Sequence, residues 1–326
     1  MKRQSVAWLF AAVGLVAAST AQAAYSNMFV FGDSLSDSGN NAIAIGTDPD
    51  QVITGNTYIP TKPYASGNYT NSTTWAQRLA GRTGVSALPS LAGGPNFAFG
   101  GAETSYQNPN TGGFPPSLTT QTQMFLGATG GVAPGSALYV VAGGGNNARS
   151  ALEQIAGGAD IQLTIEAAAL QYAFDIGNIV DQLQSAGAKD IIVWNTPNVG
   201  LAPAILAGGA GASFLGSQLS GAMNLALAAR LFGESDVKTF DLFGLQNSFV
   251  ADPGAYGFDN VTDACGALAD CKPSKYLFWD GIHPTSRGHQ LVSNAMFALA
   301  VPEPATYAMT LMGVAVLLVV ARRRRV

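Results

Sequence analysis

Short apolar runs and longer amphipathic stretches alternate along most of this chain. A short apolar run bounded by glycine and polar residues predicts a buried strand, and apolar residues that recur at the 3.6-residue period predict a helix. The predicted strands are 28–31, 96–99, 137–142, 190–194 and 237–240. The predicted helices are 74–82, 115–126, 160–186, 219–232 and 284–299. Because strands and helices take turns, the pattern predicts an α/β domain in which helices cover a parallel sheet on both faces.

Two long stretches carry no clear period. Residues 40–72 are rich in Gly, Thr, Asn, Pro and Tyr, which predicts a loop beside a functional site. Residues 200–216 are rich in Gly and Ala and predict no element. Neither an internal repeat nor a second domain is evident, so a single domain is expected.

The chain begins and ends with segments that have the composition of targeting signals. A basic start and an apolar run precede a small-x-small sequence at 21–23, which predicts a secretory signal peptide over 1–23. At the other end, residues 301–326 contain an uncharged apolar run followed by four arginines at 322–325. That run is short for a spanning helix, which needs about 17–25 residues, and the arginines are expected to stay on the cytoplasmic side. The expected domain is therefore 24–300.

The charge of the expected domain limits its partners. The whole chain has 16 Lys and Arg against 20 Asp and Glu. Six of the basic residues but only one acidic residue lie outside 24–300, so ten basic and nineteen acidic residues remain, a net charge of −9. A negative surface repels nucleic acids and anionic lipids, and neither class of partner is expected.

A candidate nucleophile follows the first predicted strand. That strand breaks at Gly32 into small polar residues, among them Ser34, and open α/β sheets place their reactive groups at such strand ends. A serine hydroxyl needs a base to remove its proton, and the chain has only two histidines, His283 and His289. Asp280 precedes His283 by three residues, where it could orient the imidazole as in a Ser-His-Asp triad.

Four sequence blocks, taken together and in order, resemble the GDSL family of esterases and lipases, also known as SGNH hydrolases. The blocks are Gly32-Asp33-Ser34-Leu35, residues 96–102, Gly144-Gly145-Asn146-Asn147, and Asp280 with His283. The resemblance extends from residue 29 to about residue 299. It implies a flavodoxin-like three-layer sandwich with about five parallel strands, the SGNH hydrolase fold, and it calls for no cofactor.

The resemblance also implies a role for each residue of the site. Ser34 would be the nucleophile, His283 the base, and Asp280 the residue that orients the base. The backbone N–H groups of Ser34 and Gly101 and the side-chain amide of Asn146 would form the oxyanion hole. Together these residues imply acyl transfer through an acyl-serine intermediate.

Other polar residues are expected to support the structure. Asn147 stands where the family usually has aspartate, so the local hydrogen bonding is expected to differ while the chemistry is kept. Asp33 is expected to bind loop backbone, and Asp37 and Asn40 are expected to be structural. His289 is expected to be a surface or capping residue and not a second base.

The two cysteines, Cys265 and Cys271, have five residues between them and precede Asp280. Exported proteins meet an oxidising compartment, which favours a disulfide over two free thiols. Such a bridge would stiffen the loop that carries Asp280 and His283. Two cysteines and a histidine committed to catalysis do not make a zinc site, so no metal is expected.

The expected function is that of a secreted carboxylic-ester hydrolase that acts on a lipid, a short-chain ester or an acylated glycan. Lipid acyltransferases and polysaccharide deacetylases use the same machinery, and the sequence does not separate them. The alternative class is a non-catalytic surface or matrix protein on a hydrolase scaffold. The complete set of site residues favours the enzyme.

The tail, residues 301–326, resembles a PEP-CTERM sorting signal because Val301-Pro302-Glu303-Pro304 precedes the apolar run and the arginines. The resemblance implies processing by an exosortase-type enzyme and only transient contact with the membrane. It also implies delivery to the cell surface or extracellular matrix of a Gram-negative bacterium. A plain membrane anchor would explain the apolar run and the arginines but not the Pro-Glu-Pro sequence.

Overall fold

The computed structural model describes residues 25–301 and Gly313. The predicted signal peptide 1–23 and, apart from Gly313, the tail beyond residue 301 lie outside the described residues. Residues 25–296 form one compact unit, and residues 297–301 fall outside it. Among the described residues, no helix combines the length and the apolar composition that a membrane span requires.

A parallel sheet lies at the centre of the compact unit. Its strands are, in spatial order, β1 (Met28–Gly32), β2 (Leu138–Ala142), β3 (Asp190–Trp194) and β4 (Val237–Phe240). The predicted strand 96–99 runs along the free side of β1, where the Phe97 N–H donates to the Val30 carbonyl at 2.8 Å. Only Asn96 forms a regular bridge with Val30, so this segment is a minimal fifth strand. When all five strands, including this one, are numbered by their order in the sequence, their spatial order across the sheet is 2-1-3-4-5, which is the predicted flavodoxin-like order.

Helices cover both faces of the sheet, as predicted. They are α1 (Asn40–Ile45), α2 (Trp75–Thr83), α3 (Leu118–Ala128), α4 (Gly145–Ala156), α5 (Ile161–Ser185), α6 (Pro203–Leu206), α7 (Ala210–Arg230), α8 (Leu242–Ala251) and α9 (Ser286–Ala300). Alternate strand residues enter opposite layers. Phe31 and Val193 face the core cluster made with α3, α5 and α7. On the other face, the Trp194 ring centroid lies 4.6 Å from that of Trp75 in α2, and its Nε1 lies 3.1 Å from the Met296 sulfur in α9.

The segment predicted as a loop begins with a helix, so the prediction for 40–72 is wrong at 40–45. The Asp37 carboxylate explains why α1 forms there. Its Oδ1 accepts the N–H groups of Gly39 and Asn40 at 2.8 and 2.7 Å, which caps the first turn. The helix ends after one and a half turns, too short for its apolar residues to show a period.

A second, two-stranded parallel sheet was not predicted. It pairs β5 (Asn260–Ala264) with β6 (Tyr276–Phe278). β5 buries only Val261 and Ala264, so its sequence lacks the apolar run that indicates a core strand. This small sheet matters for the site because β6 ends two residues before Asp280.

Candidate active site

The turn after β1 places Ser34 at the carboxyl end of the sheet. The Asp33 carbonyl accepts the N–H groups of Ser36 and Asp37 at 3.0 and 2.9 Å, and the Asp33 carboxylate accepts the Leu35 N–H at 3.0 Å. The expectation that Asp33 binds loop backbone is confirmed. Burial raises the pKa of the Asp33 carboxyl group to about 6, although the hydrogen bond from the Leu35 N–H lowers it in part.

Asp37 and Asn40 hold the Ser34 turn against the edge of the sheet, so their structural role is confirmed. The Asp37 Oδ2 accepts the Gly100 N–H at 3.0 Å. The Asn40 side-chain amide donates to the carbonyls of Asn96 and Ala98 at 2.8 and 2.9 Å. Both side chains are fully buried. They connect residues 32–35, which contain Ser34, to residues 96–102, which contain Gly101.

Asp280 and His283 lie in a tight loop after β6. The Asp280 Oδ1 accepts the N–H groups of Ile282 and His283 at 2.8 and 2.7 Å, while its Oδ2 lies 2.7 Å from His283 Nδ1. A proton on Nδ1 satisfies that contact and leaves Nε2 as an acceptor. Nε2 lies 2.8 Å from the Ser34 hydroxyl. Gly281 permits this loop, since a Cβ there would lie 2.4 Å from the Tyr58 carbonyl oxygen.

Tyr64 is a fourth member of this group that the sequence did not reveal. Its hydroxyl donates to Asp280 Oδ2 at 2.7 Å, the same oxygen that faces His283. Burial and the Asp280 charge raise the pKa of Tyr64 well above its usual range, so the hydroxyl keeps its proton and remains a donor. The two residues are 216 positions apart, and Tyr64 lies in a stretch without periodicity. We find no sequence signal that would have identified it.

Asn146 lines the same pocket as Ser34. Asn146, at the start of α4, donates one amide N–H to the Ala102 carbonyl at 2.9 Å and keeps a second. Gly101 has φ of +84°, a left-handed conformation that favours glycine. Among the described residues, none accepts the backbone N–H of Ser34 or Gly101.

Asn147 forms a local network of its own. Its Oδ1 accepts the Thr104 N–H at 3.2 Å, and its Nδ2 donates to the Thr104 hydroxyl at 2.9 Å. That hydroxyl donates in turn to the buried Asp175 carboxylate at 2.6 Å. An aspartate at position 147 would lack the donor, so the amide changes the hydrogen bonding while Asn146 keeps its place.

His289 is not a surface residue, and that part of the expectation is wrong. It is 2% exposed, and burial lowers its pKa to about 3, so the ring is neutral. Its Nδ1 accepts the backbone N–H of Trp75, the first residue of α2, at 3.3 Å. It therefore caps a helix 214 positions away in the chain. It lies outside the chain of contacts from Ser34 to Asp280.

Ser34 and His283 line a pocket. Most of its wall is apolar, including Val199, Ile205, Leu242, Phe249, Leu277 and Val292. Apolar walls with a few polar groups are typical of small-molecule sites. Such a wall favours an apolar group beside Ser34.

Cys265 and Cys271 form the expected disulfide, with Cα atoms 5.4 Å apart. The bridged loop directly follows β5, and the Gly266 N–H donates to the Trp279 carbonyl at 2.9 Å. The bridge therefore supports the residue that precedes Asp280. Within the described part of the chain, no cluster of His, Cys, Asp and Glu side chains is arranged to hold a metal ion.

Comparison with known proteins gives two family matches. A model described as GDSL-like Lipase/Acylhydrolase matches residues 28–296, and the PEP-CTERM protein-sorting motif matches 300–325. Esterase EstA of Pseudomonas aeruginosa is 30% identical over 92% of this chain and 51% of the relative. A GDSL esterase/lipase of Arabidopsis thaliana is 24% identical over 87% of this chain and 93% of the relative.

A solved lipase/acylhydrolase from Enterococcus faecalis is 12% identical, with a TM-score of 0.41 over 83% of this chain and 92% of that chain. This chain spans about half the length of the two Pseudomonas EstA esterases that it matches.

Proposed function

We propose that this chain, which belongs to the GDSL-like lipase/acylhydrolase family, is a carboxylic-ester hydrolase that acts through an acyl-serine intermediate. One observation carries the proposal: contacts of 2.8 and 2.7 Å join the Ser34 hydroxyl to His283 and His283 to Asp280. The names of the relatives, which include esterases and lipases, support the same class of reaction.

The geometry favours a two-step mechanism. In the first step, Ser34 Oγ attacks the ester carbonyl carbon while His283 Nε2 removes the hydroxyl proton, and Asp280 stabilises the imidazolium that forms. The tetrahedral intermediate collapses, and the departing alcohol takes the proton from His283. In the second step, water attacks the acyl-serine with His283 as the base, which releases the carboxylic acid and restores Ser34.

The negative oxygen of each tetrahedral intermediate needs donors that are already in place. We assign this role to the backbone N–H groups of Ser34 and Gly101 and to the second amide N–H of Asn146. Asn146 is 6% exposed, and its hydrogen bond to the Ala102 carbonyl fixes its side chain. The amide therefore needs little reorientation when the substrate oxygen becomes charged.

The apolar pocket supports a substrate with an acyl chain longer than acetyl. Burying each methylene of such a chain contributes about 0.8 kcal/mol, whereas an acetyl group would leave most of the wall uncovered. The pocket therefore favours an esterase or lipase over a polysaccharide deacetylase. Among the alternatives, a lipid acyltransferase would use the same pocket and differ in the acceptor that resolves the acyl-serine.

Ser34→Ala tests the mechanism on aryl esters of graded acyl length. Hydrolysis should fall by at least about 1,000-fold because the nucleophile is lost. Ser38→Ala is a matched control, since the Ser38 hydroxyl lies in the same turn but donates to the Ala87 carbonyl at 2.6 Å. The control should retain activity and the thermal unfolding midpoint of both variants should stay near that of the parent. Parent-like turnover in Ser34→Ala would refute the mechanism.

The sorting motif supports a proposal about location. We assign 1–23 to a signal peptide, 24–300 to the exported catalytic domain, and 301–326 to a signal processed by an exosortase-type enzyme. Cleavage would pass the domain from the inner membrane to the cell surface or extracellular matrix of a Gram-negative bacterium. Intact-mass measurement of the exported protein tests this, because a mature species that keeps Arg322 to Arg325 would identify the tail as an anchor.

A further inference from the structure

The acyl pocket contains two carboxamide side chains away from the oxyanion hole, Asn198 and Gln246. Asn198 uses both its oxygen and its nitrogen in hydrogen bonds within the fold. Its Oδ1 accepts the N–H of Gly200 at 3.2 Å and the hydroxyl of Ser217 at 2.8 Å, and its Nδ2 donates to Asn247 at 2.9 Å. Asn198 is therefore held in the pocket wall, and its oxygen already accepts two hydrogen bonds.

Unlike Asn198, the Gln246 side chain has no hydrogen-bond partner among the described residues. Its side chain is 9% exposed, and its Oε1 is buried without a hydrogen bond among the described residues. No described residue forms a hydrogen bond with its Nε2 either, and that nitrogen, unlike Oε1, is not fully enclosed. An unpaired carboxamide thus lines a pocket whose wall is mainly apolar.

The position of Gln246 on α8 shows that packing alone does not explain it. Leu242, Gln246 and Phe249 are spaced i, i+4 and i+7, so they share one face of the helix, and all three line the pocket. The residues on either side of Gln246 on this face are apolar. A leucine would fill the position without burying an unpaired polar group.

We propose that Gln246 is a specificity residue that recognises a hydroxyl group carried by the acyl chain of the substrate. The inference rests on the proposed esterase function and names the substrate class more closely. A hydroxyl oxygen on the acyl chain can accept from Nε2, the atom of the Gln246 amide that is not fully enclosed. A site that hydrogen-bonds a substrate hydroxyl discriminates against the analogue that lacks it, because its own polar group is then left unpaired.

The test compares kcat/KM for pairs of aryl esters that have the same acyl length, with and without one hydroxyl on the acyl chain. The hydroxyl is placed at position 2, position 3 or the chain end, since its place along the chain is what the series determines. Gln246→Leu should lower the ratio of hydroxylated to plain ester by about 10- to 100-fold at one of these positions. The ratio cancels any general loss of turnover in the variant.

Gln154→Leu is the matched control, because Gln154 is an exposed glutamine on α4 that does not line the pocket. It should leave the ratio unchanged. Gln246→Met is a second variant, with a side chain of similar volume to glutamine. It tests the same role if Gln246→Leu fails to fold. Moving the hydroxyl to the alcohol part of the ester should remove the dependence on Gln246.

The outcomes separate the two proposals. If the parent hydrolyses plain acyl esters but both Gln246 variants keep its ratio at every hydroxyl position, the role of Gln246 is refuted and the esterase function stands. A ratio that responds only when the hydroxyl is on the alcohol also refutes it. If the parent hydrolyses no ester of either kind, the proposed function fails and the inference fails with it.

Discussion

Tyr64→Phe tests how much the Tyr64 hydroxyl stabilises the Asp280 carboxylate. The change removes one hydroxyl and leaves the ring, so the loss is confined to the 2.7 Å hydrogen bond to Asp280 Oδ2. A hydrogen bond to a charged group contributes about 1.5–3 kcal/mol. This bond exists before the reaction begins, so most of its energy should appear as stability. For a domain of this size we expect the thermal midpoint to fall by about 3–12 °C.

The effect on turnover should be smaller than the loss of the acid itself. If the whole bond acted only in the transition state, kcat would fall by up to about 150-fold. Three other donors still hold the Asp280 carboxylate, namely the N–H groups of Ile282 and His283 and the His283 ring. We therefore expect kcat to fall by about tenfold, with KM nearly unchanged because Tyr64 does not line the acyl pocket.

Tyr58→Phe is the matched control for this experiment. It removes the same atom from the same segment, but the Tyr58 hydroxyl donates to Gln51 at 2.6 Å and not to Asp280. Steady-state kinetics on one aryl ester and a thermal melt of each purified variant are sufficient. The reasoning is refuted if Tyr64→Phe keeps both the midpoint and the kcat of the parent, or if Tyr58→Phe loses as much kcat.

The remaining predictions concern an oxyanion donor, a buried carboxyl group and the disulfide. Asn146→Ala should lower kcat by about 100- to 1,000-fold; steady-state kinetics check this, and an unchanged kcat would remove Asn146 from the oxyanion hole. Because burial raises the pKa of Asp33 to about 6, its contribution to stability is present below about pH 4 and is lost as pH rises through 6. Urea unfolding at pH 4 and pH 7 should therefore show the free-energy difference between the parent and Asp33→Asn falling by on the order of 3 kcal/mol, and a constant difference would contradict this. Replacing Cys265 and Cys271 by serine should lower the unfolding free energy by about 2 kcal/mol, as expected for a small closed loop, and an unchanged urea midpoint would show that the bridge adds no stability.

The sheet was predictable because its strands are nearly continuous apolar runs. Strands covered on both faces need such runs, and β1, β2 and β3 match the predicted segments within a residue. Short elements held by side-chain contacts were not predictable. The helix α1 depends on capping by Asp37, and β5 depends on pairing with a strand that follows a disulfide-bridged loop.

The site was predictable where chemistry restricts the residue type. A serine nucleophile needs a base, histidine serves most often, and the chain has only two histidines. Family membership inferred from the four blocks is confirmed by the match over 28–296. Tyr64 and the burial of His289 were not recognised, because each depends on contacts made across the fold. Gln246 was not recognised, because what sets it apart is a missing partner among the described residues. Neither kind of property leaves a local pattern in the sequence.

The separation of Ser34 from His283 along the chain sets when the protein can first react. The two residues are 249 positions apart, which a ribosome at roughly 5–20 residues per second takes about 12–50 s to cover. Throughout that interval the serine is an ordinary alcohol, because its base has not been made. Under the proposed mechanism, hydrolysis of an ester would therefore report that β1 and the loop after β6 have already come together. A chain arrested before residue 283 would lack the proposed base and would not hydrolyse an ester.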